Sequence, residues 1–550
     1  MLIKNHTTFE LLKWLLFPLA GVMQTLSLSP FNAWPLGIIS ITVIMFGLQG
    51  TSTRKSLFFG WLFGIGLFGS GASWVYISIH NFGNAPAPLA AALTAIFVAA
   101  IAFFPASTFW LYRKLFNGQD RWSTLTLPAV WVLGDWFRSW FLTGFPWLYL
   151  GYGHLNTPLS GWASILGVHG LTFICCLSGS AIWYFLSHSR RVKKLITSFR
   201  TNRIPNKINS PNKPIAFEDH PQKKIIPTSF LIFVASLWML GTLASDIKWS
   251  YAKSNVPISV VAVQANIPQE LKWRSDYRLK TIEIYQSLSA PHWGKNLIIW
   301  PETAIPLLYD EATSFNQAKP ITNRLSKLAS SKGSTLISGI PYRGLNPETE
   351  RVNIHNSIIS MGKGDGIYHK QKLVPFGEYI PLESMLRGLI SFFDLPMSSF
   401  SIGPSEQSPL KESIRHVIPY ICYEIVYPDF VAKSAHTADY LLTISNDSWF
   451  GSSIGPLQHL EMAQMRALEN ARYVVRGTNN GISAIIGPNG KIQNQTEQFI
   501  RTVLTGEIYA LGGRTPFSYF GSIPVLLVCG LILITRRLLY KPSSTQTQAL

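Results

Sequence analysis

The chain has 550 residues, of which 14% are charged and 47% hydrophobic, with 47 basic and 28 acidic side chains. The charged share is well below the roughly 25% of an ordinary soluble domain, and the mean hydropathy is +0.19. These values exclude a disordered chain, a coiled coil and a disulfide-stapled miniprotein, and they argue against a purely soluble protein. The length allows a membrane part and one full globular domain.

Long apolar runs indicate the membrane part. They predict spanning helices at residues 11–29, 34–48, 56–77, 89–112, 124–140, 159–186, 228–244 and 519–535. Most approach the roughly 20 residues that a hydrocarbon core of about 30 Å requires, although the second and fifth are short. The first run lacks a cleavage site of small residues, so we interpret it as a retained helix rather than a signal peptide.

Lys and Arg are unevenly distributed among the connecting loops. The loops 30–33, 80–87 and 141–158 contain neither residue, whereas the alternate loops and the stretch 190–224 are basic. The positive-inside rule then predicts cytoplasmic termini and an exported segment between the seventh and eighth helices. Much of the excess charge of +19 lies on the cytoplasmic side in this arrangement, where it meets anionic lipid headgroups, so no nucleic-acid partner is expected.

The expected organisation has three parts. Residues 1–246 form a membrane domain with seven helices and a basic cytoplasmic loop near 188–227, residues 247–517 form an exported domain, and residues 518–550 form the last helix and a cytoplasmic tail. Asp135 and Arg138 lie three residues apart on the fifth predicted helix, where they can meet on one face. They either neutralise each other at the interface or line a passage for lipid headgroups.

Short β-branched runs recur in the exported segment. They predict strands at 258–264, 297–300, 335–340, 354–361, 417–422, 441–445, 473–477 and 482–486. Helical patterns lie between several of them, at 274–288, 321–332 and 457–472. Strands that alternate with helices indicate a layered α/β domain.

Cysteine placement singles out one thiol. The other three cysteines fall in predicted membrane helices, which leaves Cys422 as the only thiol of the exported domain. Exported domains usually pair their cysteines or lack them, so Cys422 is either an inert buried thiol or a nucleophile. It ends the apolar run 417–421, and a residue at a strand end projects into a site above the sheet edge.

A thiol nucleophile needs a base and a cation that holds the developing oxyanion. Glu302 directly follows the apolar run 297–301, and Lys370 follows another apolar run. Either residue alone is more often a solvated turn or surface residue. The pattern becomes specific only when the neighbouring residues are considered together.

Three segments resemble, in order and spacing, the Glu–Lys–Cys triad of the nitrilase superfamily. They are Trp-Pro-Glu-Thr at 300–303, Lys370 with Val-Pro-Phe-Gly-Glu at 374–378, and Cys-Tyr-Glu at 422–424. With the membrane arrangement, nearly the whole chain resembles the bacterial apolipoprotein N-acyltransferase family. Further similarity lies in 264–269, Lys272, Trp273, 446–451, Gln458, His459, Arg466, Ala467, Glu469, Arg472, Arg476 and 479–481.

The resemblance implies a multi-pass α-helical membrane domain of about eight helices joined to a nitrilase-like αββα sandwich in the periplasm, in the bacterial inner membrane. It implies transfer of a fatty acyl chain from a phospholipid, commonly phosphatidylethanolamine, to the amine of an N-terminal diacylglyceryl-cysteine, the last step of lipoprotein maturation. The chain would pass through a thioester on Cys422. Glu302 would act as general base, and Lys370 with the backbone N–H of Tyr423 would hold the oxyanion.

The resemblance also implies supporting roles. Glu378 would orient Lys370 or assist proton transfer, Tyr423 and Glu424 would shape the pocket behind the nucleophile, and Trp273 would line the acyl site. A plain structural role stays open for each. The histidines form no spaced ligand set, so no metal and no cofactor are expected, and we expect a monomer.

Two other functions remain open from the sequence alone. A membrane-anchored amidase would use the same triad with water as the second nucleophile. A transporter with a large binding domain would show broken helices and intramembrane charges in symmetrical halves, and the seven-plus-one arrangement argues against that.

Overall fold

A computed structural model of the chain describes residues 3–116, 122–188, 227–314, 320–345, 352–375, 377–379 and 400–539. The predicted basic cytoplasmic loop and most of the C-terminal tail lie outside the described residues. The described residues form a bundle of apolar helices and a two-sheet α/β domain.

Helices cover all eight apolar runs. The bundle contains α1 Ile3–Leu26, α2 Pro35–Leu48, α3 Thr53–Gly71, α4 Val75–Ile77, α5 Ala87–Ile101, α6 Phe103–Leu115, α7 Ser123–Arg138, α8 Ala163–His188, α9 Pro227–Ser245, and, after the α/β domain, α17 Ile523–Leu539. By length and composition, three described helices can cross a membrane, Ala87–Leu115, Pro158–His188 and Thr228–Ser245, and a fourth if a bent pair counts as one span. The exact number of crossings therefore stays a prediction.

The outer surface of the bundle is apolar. Several large apolar side chains on different helices are each more than 60% exposed, namely Leu15, Ile96, Ile232 and Leu527. In water, exposing apolar surface costs about 25 cal/mol per Å². Exposed apolar side chains on several neighbouring helices are typical of a lipid-facing surface. The chain therefore has the surface of a membrane protein.

One predicted helix is broken. The run 56–77 predicts a single helix, whereas α3 ends at Gly71 and a second helical segment, Val75–Phe82, follows at a bend of 61°. The second segment contacts the α/β domain: the ring of Trp74 packs 4.7 Å from that of Phe450, and Ser78 Oγ donates to the carbonyl of Trp449 at 2.8 Å.

The α/β domain contains fourteen strands within the described residues. They are β1 Ser250–Ala252, β2 Ile258–Gln264, β3 Leu297–Trp300, β4 Thr335–Leu345, β5 Val352–Gly362, β6 Ile367–His369, β7 Leu410–Glu412, β8 Arg415–Ile421, β9 Tyr440–Ser445, β10 Val474–Thr478, β11 Ala484–Ile486, β12 Ile492–Gln495, β13 Thr502–Ile508 and β14 Leu511–Gly513. One six-stranded sheet has the order β13-β2-β3-β4-β5-β6 and the other β12-β11-β10-β9-β8-β7, while β1 pairs with β14.

The described part of the α/β domain also contains seven α-helices, several of which pack against the sheets. They are α10 Gln269–Lys272, α11 Arg278–Ser289, α12 Tyr309–Ser314, α13 Ile321–Ser331, α14 Pro428–Ala435, α15 Gly455–Asn470 and α16 Pro516–Phe520. Ile299 of β3 and Ile444 of β9 belong to one core between the sheets. Ile298, on the other face of β3, packs with Leu325 of α13. The domain is therefore the predicted αββα sandwich, because side chains alternate between the two faces of each strand.

Helix α15 joins the sandwich to the bundle. Its residues share one apolar core with Trp147 and Val168 of the bundle. The backbone N–H of Val168 donates to Glu469 Oε1 at 2.8 Å, and Trp147 Nε1 donates to Gln458 Oε1 at 2.7 Å. The sandwich therefore rests on the bundle through a buried, hydrogen-bonded helix.

Candidate active site

Three strand ends bring the predicted triad together. Glu302 lies just after β3, Lys370 directly after β6 and Cys422 directly after β8. Strands β3 and β6 belong to one sheet and β8 to the other, so the site lies where the two sheets open at one edge. The predicted strand 417–422 ends one residue earlier, because Cys422 begins a 3₁₀ turn, Cys422–Val426.

Glu302 is 8% exposed and is held from several directions. Its Oε1 accepts from Asn356 Nδ2 at 2.7 Å and lies 3.7 Å from Lys370 Nζ. Its Oε2 accepts from the backbone N–H of Asn446 at 2.8 Å. Because these donors fix both oxygens, the carboxylate is pre-oriented at the site.

Lys370 is 1% exposed and lies between two carboxylates. Its Nζ is 2.8 Å from Glu378 Oε2 and 2.9 Å from Glu378 Oε1. Burial lowers the pKa of Lys370, but the carboxylates of Glu378 and Glu302 outweigh burial and raise the pKa above its usual value. The ammonium therefore stays charged and can stabilise an oxyanion.

Cys422 has a left-handed backbone conformation with φ of 51°, an uncommon state for a residue with a side chain. His459, from α15, contacts its carbonyl through Nε2 at 3.1 Å. Burial, together with the nearby carboxylate of Glu302, raises the pKa of the Cys422 thiol to about 12, although Lys370 acts to lower it. The resting sulfur is therefore a thiol and needs a base before it can act as a nucleophile.

Glu424 connects the 3₁₀ turn Cys422–Val426, which we call the nucleophile turn, to the segment after Lys370. It accepts from the backbone N–H of Ile421 at 2.7 Å, from that of Gln371 at 2.6 Å and from Tyr368 Oη at 2.9 Å. The structure thus places Glu424 as a buried clamp between two strand ends that carry triad residues.

Tyr423 points towards the bundle. Its Oη donates to the carbonyl of Gly144 at 3.2 Å, and its ring stacks with that of Trp147 at 6.5 Å. Arg138 holds this loop, since its Nη1 donates to the carbonyls of Phe145 and Trp147, each at 2.7 Å. Arg138 also pairs with Asp135 at 2.8 Å, so of the two interpretations the contacts favour a structural pair.

Comparison with known proteins assigns the family. Residues 20–181 match the apolipoprotein N-acyltransferase N-terminal domain, and residues 259–515 match the carbon-nitrogen hydrolase family. An apolipoprotein N-acyltransferase of Pseudomonas syringae pv. tomato is 41% identical over 515 residues, which cover 93% of this chain and 94% of that protein. The chain belongs to the apolipoprotein N-acyltransferase family.

Other relatives agree. An apolipoprotein N-acyltransferase of Pseudomonas aeruginosa is 40% identical, covering 94% of this chain and 93% of its own, and that of Coxiella burnetii is 36% identical, covering 94% and 97%. A solved carbon-nitrogen hydrolase superfamily protein from Xanthomonas campestris is 17% identical, with a TM-score of 0.35, and covers 52% of this chain and 98% of its own.

Two further buried groups lie at this candidate site: sequence reasoning missed Asn356 and singled out Lys272 only as part of the family resemblance, without a role. Asn356, inside β5, donates to Glu378 Oε1 at 2.9 Å as well as to Glu302. Lys272 Nζ donates to the carbonyl of Glu302 at 2.8 Å. Burial lowers the pKa of Lys272 to about 8, although the nearby Glu302 and Cys422 act to raise that pKa. A polar residue at an inward position of an apolar strand was the available signal for Asn356.

Trp273 follows Lys272 and is half-buried. Its Nε1 is buried and has no hydrogen-bond partner among the described residues. No group of three or more His, Cys, Asp or Glu side chains that could hold a metal ion occurs in the described part of the chain.

Replacing Glu424 by Gln is expected to loosen this N-acyltransferase site. The carboxylate accepts at both oxygens, from Ile421 N at Oε2 and from Gln371 N at Oε1, so an amide –NH₂ would face a buried donor. Such a mismatch costs about 1–3 kcal/mol. We expect a lower thermal midpoint and slower acyl transfer, with Glu283→Gln on the exposed side of α11 unchanged. An unchanged midpoint for Glu424→Gln would contradict the clamp.

Proposed function

We propose that the chain transfers a fatty acyl chain from a phospholipid to the N-terminal amine of a diacylglyceryl-cysteine lipoprotein, through a thioester on Cys422. The observation that carries the proposal is the convergence of Glu302, Lys370 and Cys422 at one sheet edge, in a domain fixed to an apolar helix bundle. The name that the relatives share supports the acyl acceptor and the reaction class.

The first half-reaction forms the thioester. The Cys422 sulfur attacks the ester carbonyl of the phospholipid while Glu302 takes the thiol proton. The negative charge that develops on the carbonyl oxygen is held by Lys370 Nζ and the backbone N–H of Tyr423. The carbon–oxygen bond then breaks, and Glu302 returns the proton to the lysophospholipid alkoxide.

The second half-reaction releases the acyl chain. The lipoprotein amine attacks the thioester carbonyl, Glu302 takes a proton from the amine, and Lys370 again holds the oxyanion. The carbon–sulfur bond breaks, and the proton returns from Glu302 to the sulfur. Glu378 keeps Lys370 in place through its two short contacts, and Trp273, with its unpaired Nε1, is proposed to line the acyl site.

The helix bundle explains how such substrates reach the site. Each buried CH₂ of an acyl chain contributes about 0.8 kcal/mol to membrane retention, so full extraction of a phospholipid is unfavourable. Tyr423 and the loop at Gly144 join the nucleophile turn to the bundle. The proposed arrangement delivers an ester carbonyl to Cys422 while the acyl tail stays among apolar side chains.

The proposal includes the finer assignments that the sequence suggests. The donor is phosphatidylethanolamine, the protein is a monomer of the bacterial inner membrane, and the sandwich at 247–517 lies in the periplasm between the membrane part at 1–246 and the last helix at 518–550. The basic loops of the bundle support this orientation.

Intact mass spectrometry tests the proposal. We expect the purified chain to gain one fatty acyl mass on the peptide with Cys422 after incubation with phosphatidylethanolamine, and to lose it to a diacylated lipopeptide with a free N-terminus. Cys422→Ala should gain nothing, whereas Cys529→Ala, a buried thiol of α17, should behave as wild type. Discharge by water alone would instead indicate an amidase.

A further inference from the structure

A buried polar network lies behind the nucleophile, on the side of α15. Ser445 Oγ is 3.5 Å from Cys422 Sγ and is hydrogen-bonded to Asp447 Oδ1. Asp447 Oδ2 accepts from Arg476 Nη2 at 2.6 Å. Ser445, Asp447 and Arg476 are each at most 1% exposed, so the network is shielded from bulk solvent.

The direction of each hydrogen bond follows from the number of protons. Burial raises the pKa of Asp447, but the permanent cation Arg476 outweighs burial and holds that pKa below its usual value. Asp447 is therefore a carboxylate and can only accept. The Ser445 hydroxyl has one proton, and both the sulfur of Cys422 at 3.5 Å and Oδ1 of Asp447 are positioned to accept it. The contact with the Asp447 carboxylate is the shorter one, so we assign the proton to Asp447, which leaves Ser445 with lone pairs for the sulfur.

His459 adds no proton for the sulfur. The carbonyl of Cys422 can only accept, so the Nε2 of His459 at 3.1 Å carries the hydrogen. Nδ1 then accepts from Arg476 Nη2 at 3.2 Å. Burial lowers the pKa of His459, and Arg476 lowers it further, which agrees with a neutral imidazole. Among the contacts of the described residues, neither Arg476 nor His459 donates to the sulfur, and Arg476 Nη1 has no partner there.

We propose that Ser445 is a positioning residue that keeps the Cys422 thiol protonated at rest by accepting its S–H hydrogen bond. A thiolate would face the lone pairs of Ser445 with the Asp447 carboxylate behind them. Ser445 and Glu302 thus compete for one proton, and the sulfur gives it to Glu302 only when attack on the acyl donor proceeds. The proposal rests on the proposed function of Cys422 as nucleophile.

A protonated resting thiol has a clear advantage. Oxidants and disulfides react with the thiolate rather than the thiol. An unpaired catalytic cysteine in the oxidising compartment proposed above would therefore be protected between turnovers. Other charged groups also influence the sulfur. They are Glu302 and Lys370 from the first sheet and Lys272 from α10. A substitution of Ser445 leaves these three side chains in place, so it tests the contribution of Ser445 alone.

The direction in which a pH midpoint moves tests the proposal. The probe is iodoacetamide, and the alkylation rate of the Cys422 peptide is followed by mass spectrometry across pH in the full detergent-solubilised chain without acyl donor. We expect Ser445→Ala to move the midpoint to lower pH, and the rate below the midpoint to rise about tenfold for each pH unit by which the midpoint falls. Ser445→Thr, which retains the hydroxyl, should restore the wild-type midpoint.

A midpoint that rises in Ser445→Ala would show that Ser445 donates to the sulfur, and an unchanged midpoint would show that it only packs; either overturns the proposal. Asp447→Asn provides a second test because it frees the Ser445 proton for the sulfur, so its midpoint should also fall. Thr443→Val is the matched control, since Thr443 lies two residues earlier on β9 and its Oγ1 has no partner among the described residues. Alkylation needs no acyl transfer, so failure here is distinguishable from failure of the proposed function.

Discussion

Replacing Glu302 by Gln is expected to lower the rate of thioester formation about 10²–10⁴-fold, the usual contribution of a general base. The amide keeps the size of the side chain but cannot take the proton of Cys422. Since the same group would take a proton from the acceptor amine, discharge of the thioester should slow as well. The measurement is the rate of lysophospholipid release, followed by the rate of transfer to a lipopeptide.

The control for this variant is Glu270→Gln, an exposed carboxyl of the adjacent short helix α10. It should leave both rates unchanged. A Glu302→Gln protein that retains both half-reactions would remove Glu302 from the mechanism. A protein that loses only the second half-reaction would assign the first proton transfer to another group.

The helix bundle holds the turn that begins at Cys422. Tyr423 and Tyr427 donate to the carbonyls of Gly144 and Thr143 at 3.2 Å and 3.0 Å, and Arg138 anchors the same loop from α7. The position of the Cys422 sulfur is thereby linked to the helix bundle. Under the proposed function, this link would let the bundle position the site as well as bind lipid.

Local patterns predicted the central strands because these strands are buried on both faces. All four residues of β3 are buried, so an uninterrupted apolar run marked it, and the residue that followed it, Glu302, stood out. Strand β13 was missed, because it is an edge strand, half exposed, and contains Gly506. Edge strands carry polar residues and lack a continuous apolar signal.

Local sequence patterns do not predict the long-range hydrogen bonds that hold the site in place. Asn356 lies inside β5 and Ser445 is the last residue of β9. A polar residue in an apolar strand is noticeable in the sequence, but the groups to which it binds are not known until its neighbours in space are known. Trp147 and Gln458 form a hydrogen bond across 311 residues of chain. Such pairs follow from the packing of the two parts, which hydrophobic periodicity does not encode.

Replacing Lys370 by Met is expected to lower acyl transfer about 10²–10³-fold through loss of the oxyanion donor. It also removes the cation between Glu302 and Glu378, which are 8% and 7% exposed. Uncompensated buried charges cost about 3–5 kcal/mol, so the thermal midpoint should fall too. Both effects are measured on the solubilised chain, with Lys363→Met, an exposed lysine of the β5–β6 connection, as the unchanged control.

A double variant separates the two roles of this lysine. Lys370→Met combined with Glu378→Gln removes one of the two carboxylates along with the cation, so the thermal midpoint should recover most of its loss. Activity should not recover, because neutral side chains do not stabilise the oxyanion as an ammonium does. If the double variant regains transfer together with stability, Lys370 acts only by neutralising Glu378, and the oxyanion would have to be held by backbone donors such as the N–H of Tyr423.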